Sequence, residues 1–173
     1  MNEKRPLGGY ALHWGTLAER RDHWVGFKKG AFLKAIAGGD VQALMFHDDR
    51  YPIGRQAAGT MKVWEDEHGL QLAVWPVPTS SGNDAEILVD TNSVRGWSIG
   101  YRPVEFDLIP PAKKGEKPVL MVTEATLREI SLVTWPAMTD SNVKRLSIGP
   151  LPEFRHLKEI LTRQNKYLDA SKH

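Results

Sequence analysis

The sequence contains no cysteine. That excludes a disulfide framework, a cysteine nucleophile and a thiolate metal site together, and it fits an intracellular protein. No apolar run approaches the roughly 20 residues that a membrane-spanning helix needs. The opening residues, Met1-Asn2-Glu3-Lys4-Arg5-Pro6, are not followed by the apolar core of a signal peptide. The chain is therefore expected to fold where it is made. Neither sign of charge is in large excess. The formal net charge is +2, which gives no reason to expect nucleic acid or a membrane as partner. The basic pairs Arg20-Arg21, Lys28-Lys29, Lys113-Lys114 and Lys144-Arg145 are scattered and read as solvated surface. There is no internal repeat, and no cofactor or metal is expected.

What remains is a chain of 173 residues, enough for one domain with a sizeable core. Residues 1–149 read as that domain and 150–173 as a helical tail. Strand-like segments dominate. Leu7 to Gly15 is a short apolar opening strand. Gly30 to Ala37 reads as a helical turn closed by Gly38-Gly39. Val41 to Phe46 is an apolar strand that stops at a polar loop, His47-Asp48-Asp49-Arg50. Thr60–Trp64 and Leu70–Val77 flank a turn whose Gly69 suits positive φ. Thr79 to Asp84 is a helix-cap cluster ahead of a helix ending near Asp90. Gly96–Phe106 and Val119–Thr134 are strands, the second bent near Glu124-Ala125, with an exposed loop between them. After Pro150 the stripe Phe154, Leu157, Leu161 and Leu168, with Ile160 alongside, has helical spacing and favours packing. This order predicts an α+β, mainly β fold: a mixed barrel or curled sheet with peripheral short helices.

Three positions carry chemistry. In Gly96-Trp97-Ser98-Ile99-Gly100-Tyr101, strand alternation puts Trp97, Ile99 and Tyr101 on one face and Gly96, Ser98, Gly100 and Arg102 on the other. Ser98 then sits between two residues without side chains, which leaves room for another chain to reach its hydroxyl. A tight crossing in the sheet reads the same glycines without any chemistry. The stretch also matches Gly-x-Ser-x-Gly, but the nucleophile elbow of α/β-hydrolases needs a strand before the serine and a helix after it. Here the order is reversed. His47, at a strand end, is the best placed of the six histidines. A metal site of His47, Asp48 and Asp49 ranks low, because neighbours in an extended chain point apart. Glu129 shares a face with Leu127, Ser131 and Val133, and a carboxylate on a largely apolar face needs a partner. That partner is a catalytic histidine or an arginine such as Arg102, and Glu124 is the alternative acid. A hydroxyl becomes a nucleophile when a base takes its proton, and an imidazole base needs a third group to orient it.

At these residues the sequence resembles the prohead maturation proteases of tailed phages, the HK97 type. The matching blocks run from residue 8 to 137: Gly9-Tyr10-Ala11, Gly30-Ala31-Phe32, Phe46-His47-Asp48, Ile53-Gly54-Arg55, Gly96 to Tyr101, and Glu129 to Ala137. The resemblance implies a fold like that of the herpesvirus assembly proteases, a mixed β-barrel ringed by helices. It implies that Ser98 is the nucleophile, His47 the general base and Glu129 the orienting acid, with Arg102 holding an oxyanion water. The implied substrates are scaffold, or the scaffold-like arm of the major capsid protein, and the enzyme itself. The implied place is the assembling prohead in the host cytoplasm, with the enzyme as a homodimer or higher oligomer. Two other readings stay open: a non-enzymatic assembly module on the same barrel, and a small-ester hydrolase. The tail after Pro150 has no match in this family. It is a packed helix, a capsid-targeting segment or a self-cleaved region.

Overall fold

The computed structural model describes residues 5–147. The order is β1 (Leu7–His13), β2 (Ala18–Glu19), β3 (Trp24–Phe27), α1 (Leu33–Ala37), β4 (Gln42–Met45), β5 (Asp48–Arg55), β6 (Met61–Glu65), β7 (Gly69–Val74), α2 (Ser80–Asp90), β8 (Gly96–Ile109), β9 (Val119–Val133) and β10 (Lys144–Arg145). The tail expected from residue 150 lies outside the described residues. Among the described residues no helix is long and apolar enough to cross a membrane.

The strands form two sheets. One runs β10-β1-β7-β6, and the other runs β2-β3-β9-β4-β5 with β8 on the far side of β9. β9 is the spine of the larger sheet. Parallel β3 and β4 pair with its two ends along one edge, and antiparallel β8 pairs along the other. Between the sheets lies a core containing Trp97, Phe27, Phe32, Leu7, Leu12, Leu72, Ile130 and Leu132, all buried. The alternation in β8 behaves as the sequence predicts. Trp97 is in that core, with Ile99 and Tyr101 packed against it.

The fold is mostly β with two helices, as expected, but the described strands do not close into a barrel. β1 lies against β8, and the chain after β9 fills the seam between them. Ser141 Oγ accepts from Trp97 N–H at 2.8 Å and lies 2.9 Å from Tyr10 O and 2.7 Å from Trp97 O. Asn142 N–H donates to Tyr10 O at 3.1 Å. A side-chain hydroxyl thus satisfies backbone groups that a barrel would pair strand to strand.

Four of the described strands escape the sequence reading. β2, β3 and β10 are short. β5 begins at the residues read as a polar loop and contains Pro52, yet it pairs with β4 through a two-residue turn, with Met45 opposite Asp48. The turn residues Phe46 and His47 have φ of 57° and 59°, the primed geometry that normally selects Asn-Gly. The second hairpin, β6–β7, falls where expected, although Gly69 is not at positive φ. A Cβ there would lie 2.0 Å from Leu12 O, so the glycine is needed for close approach to β1. The helices follow their signals. Thr79 caps α2 by accepting from Gly82 N–H at 3.2 Å. α1 has no side-chain cap of its own, and Glu65 at the end of β6 accepts from Gly30 and Phe32 N–H at 2.7 and 2.8 Å.

Asp66 ties the β6–β7 turn to β1. Its carboxylate accepts from Tyr10 Oη at 2.8 Å, from His68 N–H at 2.8 Å, from Gly69 N–H at 2.9 Å, and from the Gln71 amide. Partial burial raises this carboxyl, but the hydrogen bonds outweigh it and hold the group down to about 2. A depressed carboxyl adds stability above its unfolded-state value of about 3.9 and loses it as pH falls through the folded one. Asp66→Asn is therefore expected to cost about 1 kcal/mol near neutral pH, after allowing for solvent screening. Urea unfolding should show the gap to wild type narrowing between about pH 4 and pH 2.

Candidate active site

One irregularity in β9 separates the site from the core residues that precede it. Gly100 pairs with Glu129, but the next residue, Tyr101, pairs with Leu127, leaving Arg128 as an extra residue on β9. A bulge of this kind breaks the strict alternation of the strand. Leu127 therefore joins Ile130 and Leu132 in the core cluster. It does not share a face with Glu129 and Ser131, as alternation alone predicts. The opposite face of the larger sheet carries Gln42 and Leu44 from β4, Glu129 and Ser131 from β9, and Ser98, Gly100 and Arg102 from β8.

The β4–β5 turn folds over this face. His47 Nδ1 lies 2.7 Å from Glu129 Oε1, with the imidazole 43% exposed and the carboxylate 10% exposed. The other carboxylate oxygen, Oε2, accepts from Ser131 Oγ at 2.5 Å. Ser131 Oγ in turn accepts from the His47 backbone N–H at 3.1 Å. Glu129 thus pairs with His47, while Glu124 is taken up by Lys34, with Nζ to Oε2 at 2.5 Å. Asp48, beside the histidine, is bound by Arg50 at 2.6 Å, and that guanidinium holds its carboxyl down to about 2.

Gly100 makes room for this arrangement. A Cβ at residue 100 would stand 2.0 Å from Glu129 Oε1. The space expected beside Ser98 is therefore occupied. The Glu129 carboxylate fills it at Gly100, and Ser141 fills it at Gly96, where a Cβ would stand 2.8 Å from Ser141 Oγ. Ser98 itself is 8% exposed and lies directly across the strand pair from Ser131. A cleft of about 630 Å³ opens beside them, lined by His47, Glu129, Gly100, Arg102, Arg128, Gln42 and Leu44 among others. Ser98 is not among the lining residues. The structure brings His47 and Glu129 together, sets Arg102 in the same cleft, and keeps Ser98 one strand pair away beneath the surface.

The sequence matches the caudovirus prohead serine protease family over residues 1–152. The chain belongs to that family. No curated protein matches it, and no solved structure does. Membership gives the general role, a serine protease of the phage prohead.

Two residues of the site went unread in the sequence. Ser131 was seen only as a neighbour on the face of Glu129, although Glu129-Ile130-Ser131-Leu132 alternates polar and apolar along a central strand. Two polar side chains side by side on such a face need each other. Arg128 enters the cleft at the bulge, which no local pattern announces. Gly100→Ala should leave the fold intact and push Glu129 off His47. NMR should then show loss of the downfield proton of a carboxylate-bound imidazole, and retention of that signal would contradict this geometry.

Proposed function

We propose that this chain is a serine endopeptidase with Ser98 as nucleophile, His47 as general base and Glu129 as the carboxylate that orients it. The observation that carries this is the 2.7 Å contact between His47 Nδ1 and Glu129 Oε1. A carboxylate on Nδ1 keeps the ring proton there and leaves Nε2 as the basic nitrogen. Ser98 is the serine of the adjoining strand, across from the hydroxyl that touches both members of the pair. Its Oγ attacks the scissile carbonyl carbon while His47 Nε2 takes the proton. The imidazolium returns that proton to the leaving amine as the C–N bond breaks. Water then cleaves the acyl-enzyme with the same nitrogen as base. The oxyanion needs fixed donors. By resemblance to the herpesvirus assembly proteases these are a backbone N–H and a water held by Arg102.

The family and the same resemblance support a reading of substrates and setting. The enzyme acts inside the phage procapsid, on scaffold or the scaffold-like arm of the major capsid protein, and then on itself. It works as a homodimer or higher oligomer. A second reading, an assembly module without activity, is favoured by one observation: Ser98 is largely buried and does not line the cleft.

Intact mass of the capsid protein, after incubation in assembled shells with wild type or Ser98→Ala, separates the two. The expected result is shortened products with wild type alone. Unprocessed chains with both would support the inactive module, and processing by Ser98→Ala would sink the nucleophile assignment. Glu129→Gln should slow cleavage by about 10³- to 10⁴-fold, the loss seen when an orienting carboxylate becomes an amide.

A further inference from the structure

Ser131 is fully buried at the centre of the larger sheet. Its hydroxyl touches both the Glu129 carboxylate and the turn that carries His47. It donates to Glu129 Oε2 at 2.5 Å and accepts from the backbone N–H of His47 at 3.1 Å. Glu129 Oε1 meanwhile reaches the imidazole of the same histidine at 2.7 Å. The result is a closed ring of contacts running through the carboxylate, the imidazole, the His47 backbone and the serine hydroxyl.

We propose that Ser131 is a positioning residue that locks the carboxylate and the imidazole to each other by holding both from one hydroxyl. This rests on the assignment of His47 and Glu129 as the base and its orienting acid. Two physical effects support it. A carboxylate free to rotate about its Cγ–Cδ bond presents Oε1 to the imidazole only part of the time, and a hydroxyl fixed on Oε2 removes that freedom. The turn that carries His47 has both central residues at positive φ, a conformation that bulky L residues leave unless the surroundings hold them. The bond from the His47 N–H to Ser131 Oγ is one of two that hold it, the other being Phe46 N–H to Leu132 O at 3.0 Å. Ser131 does not line the cleft, so its effect on catalysis runs through its neighbours.

The test uses the full chain and a serine-directed fluorophosphonate. Ser131→Ala should lower the maximal labelling rate about ten- to a hundredfold, the scale of a small misplacement in a reacting constellation. The probe concentration at half-maximal rate should not change. The downfield Nδ1 proton of His47 should broaden or vanish in the NMR spectrum. Ser131→Thr, which restores the hydroxyl, should return both signals. If Ser131→Ala does not fold, Ser131→Cys, nearly the same shape with a poorer donor, should show the same losses in smaller degree. A folded Ser131→Ala or Ser131→Cys with native labelling rate and native resonance overturns the proposal. Labelling that survives in Ser98→Ala overturns the nucleophile assignment instead. In that case the imidazole resonance alone decides the part played by Ser131.

Discussion

The arrangement of the site depends on one carboxylate set at the middle of a sheet. Glu129 stands on the central strand, where nine-tenths of its side chain is removed from water. An ion in that position costs several kcal/mol unless the protein replaces its lost hydration. Two neighbours answer that cost, the imidazole of His47 and the hydroxyl of Ser131, and the lack of a side chain at Gly100 leaves the carboxylate its place. Ser131 shares the face of Glu129 by strand alternation and Gly100 stands directly opposite it, while the bulge at Arg128 turns Leu127 into the core. Without it, Ala125 and Leu127 would fall on the face of the polar site; a second irregularity, which leaves Thr123 as an extra residue on β9, returns Val122 to the core face.

The histidine is held at a local cost. Left-handed backbone is worth about 1–2 kcal/mol against a bulky L residue, and the β4–β5 turn places two such residues in succession, Phe46 and His47. A looser loop would avoid that cost and would let the ring swing. The strained turn aims the imidazole down at β9, and tertiary hydrogen bonds from Leu132 O and Ser131 Oγ keep it there. Local strain held by distant contacts is a common property of reacting sites.

Where one period or one cap governs a segment, the sequence was readable. The two faces of Gly96 to Tyr101, the Thr79 cap and the β6–β7 hairpin all appear at or near the positions expected, and near Glu124, where a bend is expected, β9 runs on with shifts of register against β8. The pairing of His47 with Glu129 was legible as a need of each residue for a partner. Features set by long-range register were not legible. β5 looks like a loop because Asp48, Asp49 and Pro52 are poor strand formers and Phe-His is no turn signal. The bulge at Arg128 exists only in relation to β8. The open seam between β1 and β8 depends on Ser141, a residue well outside both strands. No periodicity in either strand announces a hydroxyl arriving from elsewhere.

The ring of contacts around Ser131 also sets an order in time. His47 and Glu129 are 82 residues apart in the chain, and His47 and Ser131 are 84 apart. Closing loops of that length comes late in folding, because their entropy must be met before the contacts return anything. The β4–β5 turn gains little from its own residues and takes its shape only once β9 lies beside it. A chain whose sheet is not yet formed thus carries both His47 and Glu129 without the couple they form, and that couple waits for the whole sheet.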